Sequence, residues 1–139
     1  MTPMLGLNKM MARIMVVDDE KLVRWSISNG LKRDSHEVFC AQDGTEAMEQ
    51  AKKIAFDLVI TDFKMPGMNG AELLEQLKRF SPKTRVIMLT AYSVELNRQT
   101  AMELGACEYI QKPFMVDEIR NRVQTALSMD SSSPLVASR

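Results

Sequence analysis

Short apolar runs alternate with segments of helical periodicity along this chain, and the alternation occurs five times. Three of the runs, residues 14–17, 58–60 and 86–89, are continuously apolar. Such runs are typical of central parallel strands, because both faces of these strands are buried. Residues 37–41 and 107–110 are shorter and more mixed, as expected of edge strands. The pattern therefore predicts five strands, three of them central.

The segments between the predicted strands have apolar residues at helical spacing. Apolar stripes of this kind predict helices that lie with one face on the sheet, and no cofactor is needed to explain them. A strand–helix alternation at this pace predicts an α/β fold with βαβ crossovers and a doubly wound parallel sheet. The stripes are Val23, Ile27 and Leu31; Ala47 and Ala51; Leu74 and Leu77; and Ile119, Val123 and Leu127.

The length of 139 residues suits one domain, which we predict over residues 12–128. Residues 1–11 are expected to form a flexible N-terminal extension. Residues 129–139, which include three consecutive serines and a proline, are expected to form a flexible tail or the remnant of a linker.

Charge and composition exclude several classes of function. The chain has 18 basic and 18 acidic residues and no block of Lys and Arg, so direct nucleic-acid binding by this domain is not expected. No apolar run approaches the roughly 20 residues of a membrane helix, and the N-terminus lacks a secretory signal. We therefore expect a cytoplasmic protein without membrane contact. The two cysteines form no CxxC pair, so we expect free thiols and no structural zinc site.

Polar side chains follow the predicted strands at their carboxyl ends, which is where the working site of such a sheet lies. Clustered carboxylates repel one another unless a cation neutralises them, and an all-oxygen ligand set favours a hard cation such as Mg²⁺. The strand-end residues are Asp18, Asp19 and Glu20 after the first strand, Asp62 after the third, Thr90 after the fourth and Lys112 after the fifth.

This set of groups suits phosphoryl transfer. Beside a bound metal ion, the carboxylate of Asp62 could attack phosphorus and form an aspartyl phosphate. Lys112 would balance the charge of the phosphoryl oxygens, and Thr90 would donate a hydrogen bond to one of them. Phosphoryl transfer depends mainly on positioning and charge neutralisation, which these groups supply.

Each of these residues taken alone also has a structural explanation. The acids at 18–20 could cap a helix, and Asp62 could belong to the Pro- and Gly-containing turn that follows it. Thr90 could be structural and Lys112 could be solvated. The phosphoryl-transfer interpretation rests on the conjunction, because the required residue types occur at four strand ends in the right order.

Four stretches of the sequence match a known family: IMVVDDE (14–20), VITDFKMPGMNG (59–70), VIMLTAY (86–92) and GACEYIQKPF (105–114). From about Ala12 to Ser128 the chain resembles a bacterial two-component response-regulator receiver domain. Three stretches are similar to receivers of enhancer-binding transcription activators: Val23-Arg24-Trp25, Met65-Pro66-Gly67-Met68 and residues 105–114. The family includes stand-alone regulators and receivers within longer proteins.

The resemblance implies a flavodoxin-like three-layer sandwich with strand order 2-1-3-4-5. It implies that Asp62 is the phosphoacceptor and that a sensor histidine kinase or a histidine phosphotransfer protein is the donor. Mg²⁺ would be bound directly by Asp19 and Asp62, through water by Asp18, and by the backbone carbonyl of Lys64.

The same resemblance implies that Thr90 and Tyr109 form a switch pair and that Lys112 holds the phosphoryl group, with the Lys112–Pro113 bond cis. An output domain or effector protein would be contacted through the face of the fourth helix, fifth strand and fifth helix. Gly70, after Asn69, would suit the tight turn that starts the third helix. The implied strand order places Cys40 and Cys107 at opposite edges of the sheet.

Two other classes of function remain open at this point. A receiver-like interaction module without phosphorylation would lack one of Asp62, Thr90 and Lys112, and none is missing. A phosphatase with an aspartate nucleophile usually has a second aspartate two residues later, where this chain has Lys64. The resemblance therefore favours a switch that catalyses only its own phosphotransfer and slow autodephosphorylation, and not a dedicated enzyme.

Overall fold

The computed structural model describes residues 11–91 and 97–129. Strands and helices alternate through these ranges, as the apolar pattern predicts, although the last strand starts one residue later than predicted. The predicted ends at residues 1–10 and 130–139 lie outside the described residues. In chain order the elements are β1 (Arg13–Val17), α1 (Lys21–Arg33), β2 (Glu37–Ala41), α2 (Gly44–Lys53), β3 (Leu58–Asp62), α3 (Gly70–Phe80), β4 (Arg85–Thr90), α4 (Arg98–Glu103), β5 (Glu108–Gln111) and α5 (Val116–Ser128).

The five strands form one parallel sheet in the order β2-β1-β3-β4-β5. This confirms the strand order that the resemblance implies, with β1, β3 and β4 central and β2 and β5 at the edges. The three central strands are almost fully buried, whereas β2 is only partly buried. Because all strands run in the same direction, the residues that follow β1, β3, β4 and β5 meet at one edge of the sheet.

Helices cover both faces of the sheet and form two apolar layers with it. Along β1, Ile14 and Val16 face one layer, which includes residues of α1 and α5. Met15 and Val17 face the other layer, with residues of α2, α3 and α4. This alternation gives the predicted three-layer sandwich. None of the helices within the described ranges has the length and apolar character of a membrane-spanning helix.

The two cysteines are separated by the width of the sheet. Cys40 is exposed on the edge strand β2, and Cys107 directly precedes the opposite edge strand β5. Both are free thiols, as predicted. Burial raises the pKa of the Cys107 thiol to about 11, so this thiol is protonated at neutral pH.

Candidate functional site

Three carboxylates converge at the carboxyl edge of the sheet. Asp62 is the last residue of β3, and Asp18 continues β1 by donating its backbone N–H to the carbonyl of Ala41 at 3.1 Å. Asp18 and Asp62 are buried, at 0% and 6% exposed, while Asp19 is exposed. One carboxylate oxygen from each of the three lies within 4.8 Å of the others. The strand ends thus bring together the acids that the sequence predicts as a metal site.

Asp18 is held by its own turn. Its Oδ1 accepts the backbone N–H of Glu20 at 2.8 Å, and Arg24 Nη1 donates to its backbone carbonyl at 2.6 Å. The helix α1 then starts at Lys21, with Glu20 as an N-cap whose side chain makes no capping hydrogen bond. The capping role considered for the acids at 18–20 is therefore not found. Instead the turn holds the side chain of Asp18 in a buried position.

Lys112 supplies the positive charge of the site. Its backbone N–H donates to the carbonyl of Thr90 at 2.8 Å, which carries the sheet pairing one residue past β5. Its Nζ lies 3.3 Å from Asp18 Oδ2, 3.4 Å from Asp62 Oδ1 and 3.8 Å from Glu20 Oε1. The lysine is therefore not merely solvated. The Lys112–Pro113 bond is cis, as the resemblance implies.

Burial, and to a lesser extent the neighbouring acids, raise the pKa values of the two buried carboxyl groups. Burial, followed by the neighbouring charge of Asp18, raises the pKa of Asp62 from its ordinary value of 3.8 to about 6, although Lys112 opposes the shift. Burial likewise raises the pKa of Asp18. Burial lowers the pKa of Lys112, but the two carboxylates outweigh this effect and raise it. The electrostatics of the site therefore favour binding of a further positive charge.

The loop after Asp62 is packed against the strand that precedes it. The Phe63 N–H donates to Asp62 Oδ1 at 2.9 Å, and the Gly70 N–H donates to the Phe63 carbonyl at 2.7 Å. A Cβ at Gly70 would lie 2.3 Å from the carbonyl oxygen of Asp62. Gly70, the first residue of α3, permits close approach of this helix to β3, so a glycine is required at the start of the helix, as predicted. The left-handed residue of the preceding loop is Gly67, at φ +74°. Lys64 lies in the same loop with its side chain exposed.

The predicted switch residues lie on the neighbouring strands. Thr90, the last residue of β4, is 2% exposed and its Oγ1 donates to the Ala91 carbonyl at 2.7 Å. Tyr109 lies on β5 opposite Met88, and its side chain is buried, at 9% exposed. The structure thus has the tyrosine turned inward.

Two contacts of this site are absent from the sequence-based prediction. Arg24 binds the backbone carbonyl of Asp18, and Glu20 lies within ion-pair distance of Lys112. The spacing of six residues between Asp18 and Arg24 is a weak signal. Every residue has a backbone carbonyl, so the sequence does not indicate which carbonyl Arg24 binds. Only the folded structure identifies this contact.

The residues present fit a divalent cation. The oxygen donors of Asp18, Asp19 and Asp62 are of the type that hard cations prefer. Burial, followed by the charge of Asp18, raises the pKa of Asp62 and so disfavours its charged form in the protein alone. A cation bound among these oxygens would favour the charged form.

Comparison with known proteins agrees with the fold. The chain matches the response regulator receiver domain family over residues 14–124. It belongs to this family. As a receiver domain it is a component of two-component signalling. It is 36% identical over 120 residues to sporulation initiation phosphotransferase F of Bacillus subtilis, covering 86% of this chain and 97% of that protein.

Solved receiver structures have the same fold. A response regulator receiver domain protein from Clostridium thermocellum has a TM-score of 0.78 and 34% identity, covering 84% of this chain and 94% of that one. NtrX from Brucella abortus has a TM-score of 0.79 and 30% identity, covering 84% of this receiver but only 27% of the NtrX chain. The same fold therefore occurs in chains of receiver length and within longer ones.

Proposed function

We propose that this receiver is a phosphorylation-dependent switch in which Asp62 accepts a phosphoryl group with the help of Mg²⁺. The observation that carries the proposal is the position of Asp62. It is buried at the carboxyl end of β3, with Lys112 Nζ at 3.4 Å and the acids Asp18 and Asp19 beside it. The donor would be a sensor histidine kinase or a histidine phosphotransfer protein. The name of the Bacillus subtilis relative, a phosphotransferase, supports this class of chemistry.

In this proposal Asp19, Asp62 and the backbone carbonyl of Lys64 would hold the metal, and Asp18 would act through water. Mg²⁺ would neutralise charge on the phosphoryl oxygens and on the attacking carboxylate. The contacts of Asp18 support an indirect role, because its side chain already accepts from Lys112 and from the Glu20 N–H. Asp19 is exposed and adjacent.

The transfer step needs little from the protein beyond positioning and charge. A carboxylate oxygen of Asp62 forms a bond to phosphorus while the bond from phosphorus to the donor's imidazole nitrogen breaks, and the electron pair leaves with that nitrogen. Lys112 shifts from pairing with Asp62 to pairing with the phosphoryl oxygens. Thr90 gives up its hydrogen bond to the Ala91 carbonyl and donates to a phosphoryl oxygen instead.

The movement of Thr90 links the phosphoryl group to the output face. Tyr109 is buried in this structure, and the new position of Thr90 would favour this inward ring over an outward one. The face formed by α4, β5 and α5 would then present one of two shapes to an output domain or effector protein. The only catalysis in this proposal is the receiver's own phosphotransfer and slow autodephosphorylation.

Labelling with a small phosphoryl donor tests the proposal. Incubation with acetyl phosphate and Mg²⁺, followed by intact-mass measurement, should show one added phosphoryl group on the wild type. Asp62→Asn or removal of Mg²⁺ with EDTA should abolish it. Asp57→Asn is a matched control, because Asp57 is an exposed acid just before β3, at the other end of the strand. Undiminished labelling of Asp62→Asn would refute the assignment.

A further inference from the structure

Arg98, the first residue of α4, lies against the proposed switch tyrosine. Its guanidinium carbon is 5.6 Å from the centroid of the Tyr109 ring, within the range of a cation–π contact. Its Nη2 also donates to the backbone carbonyl of Tyr109 at 3.0 Å. One side chain thus contacts both the ring and the backbone of the same residue, from the neighbouring element.

An ion-pair network extends from this contact across the face of α4, β5 and α5. Arg98 Nη1 lies 3.8 Å from Glu108 Oε1, and the same oxygen accepts from Arg122 Nη1 at 2.5 Å. Arg122 also lies 3.6 Å from Glu118 on its own helix. Glu108 is shielded, with 19% of its side chain exposed, so its charge is less screened than that of a surface pair. The network joins α4 to α5 through Glu108, the residue that precedes Tyr109.

The contacts of Arg98 depend on the position of the Tyr109 ring. With the ring inward, the guanidinium has an aromatic face beside it and a backbone acceptor within reach. A ring that swung outward and away from the guanidinium would lose the cation–π contact, because that contact requires the cation over the ring. Arg98 therefore interacts differently with the two ring positions, which is the condition for shifting their populations.

We propose that Arg98 is a positioning residue of the switch, which holds the Tyr109 ring inward and ties it through Glu108 to α5. This inference rests on the proposed function, because it assumes that Tyr109 responds to a phosphoryl group at Asp62. An exposed cation–π contact changes an equilibrium by about two- to fivefold. By reciprocity, binding of a phosphoryl analogue at Asp62 should weaken by up to the same factor when Arg98 is removed.

The test follows the Tyr109 ring by NMR in protein with ¹³C-labelled tyrosine, during titration with beryllofluoride and Mg²⁺. The chain has two tyrosines, so Tyr92→Phe assigns the signals. In Arg98→Ala the chemical shifts of the Tyr109 ring should lie nearer to those of an outward ring. The beryllofluoride concentration at the midpoint of the titration should rise about two- to fivefold. Arg98→Lys should recover part of the effect, because it retains the cation. Arg79→Ala is the matched control, as Arg79 is an exposed arginine of α3 paired with Glu75.

The outcomes separate this inference from the proposed function. Equal midpoints for the wild type and Arg98→Ala, or equal losses in Arg98→Ala and Arg79→Ala, would overturn the role of Arg98. Labelling of Asp62 by acetyl phosphate in the same proteins would then still support the phosphorylation switch. Labelling of Asp62 with no response of the Tyr109 ring would overturn both the role of Arg98 and the switch pair. Absence of labelling in the wild type would refute the proposed function itself.

Discussion

At the scale of single residues, the carboxyl group of Asp62 links the chemistry of the site to the stability of the domain. Its pKa is raised to about 6 from an ordinary 3.8, so between these values the folded state binds more protons than the unfolded state. The free energy of unfolding should therefore fall as pH rises from about 4 to about 6, by roughly 1–3 kcal/mol. The raised pKa of Asp18 acts in the same direction.

This prediction is checked by urea unfolding in EDTA at pH 5 and pH 7.5. Asp62→Asn should be more stable than the wild type at pH 7.5 and should lose part of the pH dependence. Glu75→Gln, a change at an exposed acid of α3, provides the control. Mg²⁺ should stabilise the wild type at pH 7.5 and have much less effect on Asp62→Asn. An identical pH dependence for both proteins would contradict the raised pKa of Asp62.

The two neighbouring acids after β1 should differ in their effect on the metal. Asp19 is exposed beside the site, whereas Asp18 is buried and already accepts from Lys112 and the Glu20 N–H. Loss of an outer-shell group typically weakens metal binding by roughly 10- to 100-fold, and loss of a direct ligand should weaken it more. We expect Asp19→Ala to weaken Mg²⁺ binding more than Asp18→Ala in a metal titration. Equal losses would contradict this division of roles.

Some residues of the site were predictable because the sheet alone determines their contacts, and others were not because their contacts depend on helix packing. Asp18, Asp62 and Lys112 follow buried strands, and the parallel sheet places strand ends together whatever the details of packing. Their proximity was therefore predictable. Arg24 and Arg98 lie on helices and bind backbone carbonyls, so the direction of each side chain depends on how the helix packs. No pattern of residue types along the chain contains that information.

At the scale of secondary-structure elements, the start of α3 should be intolerant of a side chain. A Cβ at Gly70 would lie 2.3 Å from the Asp62 carbonyl oxygen and 2.8 Å from the Phe63 Cα, both backbone atoms that cannot rotate away. Gly70→Ala should therefore destabilise the domain by about 1–3 kcal/mol or more. It should also slow labelling of Asp62, since the end of β3 must shift.

Gly67 in the same loop is the matched control for this prediction. It has φ +74° but no heavy atom within 4 Å of a Cβ, so alanine there meets strain without a clash. The cost at Gly67 should be about 1 kcal/mol, smaller than that at Gly70. Thermal or urea unfolding of the two variants makes the comparison. A larger loss for Gly67→Ala would show that α3 does not need its close approach to β3.

The elements themselves were predictable to different degrees. The central strands are continuously apolar because both of their faces are covered, and α1 and α5 have long apolar stripes. The helix α4 has only six residues, and Ala101 is its one fully buried residue. A helix that buries so little leaves no periodic stripe, so only the alternation of strands and helices predicted it. The capping box of Asn69 and Glu72 marks the start of α3 more sharply than its apolar spacing does.

At the scale of the whole molecule, the proposed function makes the duration of the signal depend on how easily water reaches a phosphorylated Asp62. Lys64, exposed in the loop after β3, carries no carboxylate or amide to orient an attacking water. Tyr92 is expected to flank the same path, although it lies outside the described residues. General-base help is worth roughly 10²- to 10⁴-fold where it exists. We therefore expect a phosphoryl lifetime of minutes or longer.

The decay of the phosphorylated protein in the wild type and in Lys64→Asn/Tyr92→Glu provides the check. The double variant should lose its phosphoryl group faster, because an amide and a carboxylate can each orient water. Equal decay rates would mean that these two positions do not control the lifetime.

The pairing of Asp18 with Lys112 joins residues that are 94 positions apart in the chain. During synthesis the three acids emerge long before the lysine, and the lysine reaches them only after β5 has been added at the edge of the sheet. A nascent or truncated chain that stops before residue 112 would carry the carboxylates without their counter-charge. If the proposed chemistry holds, such a fragment would be unable to respond to its kinase. Competence to receive a signal would thus require the last strand of the sheet and the lysine that follows it.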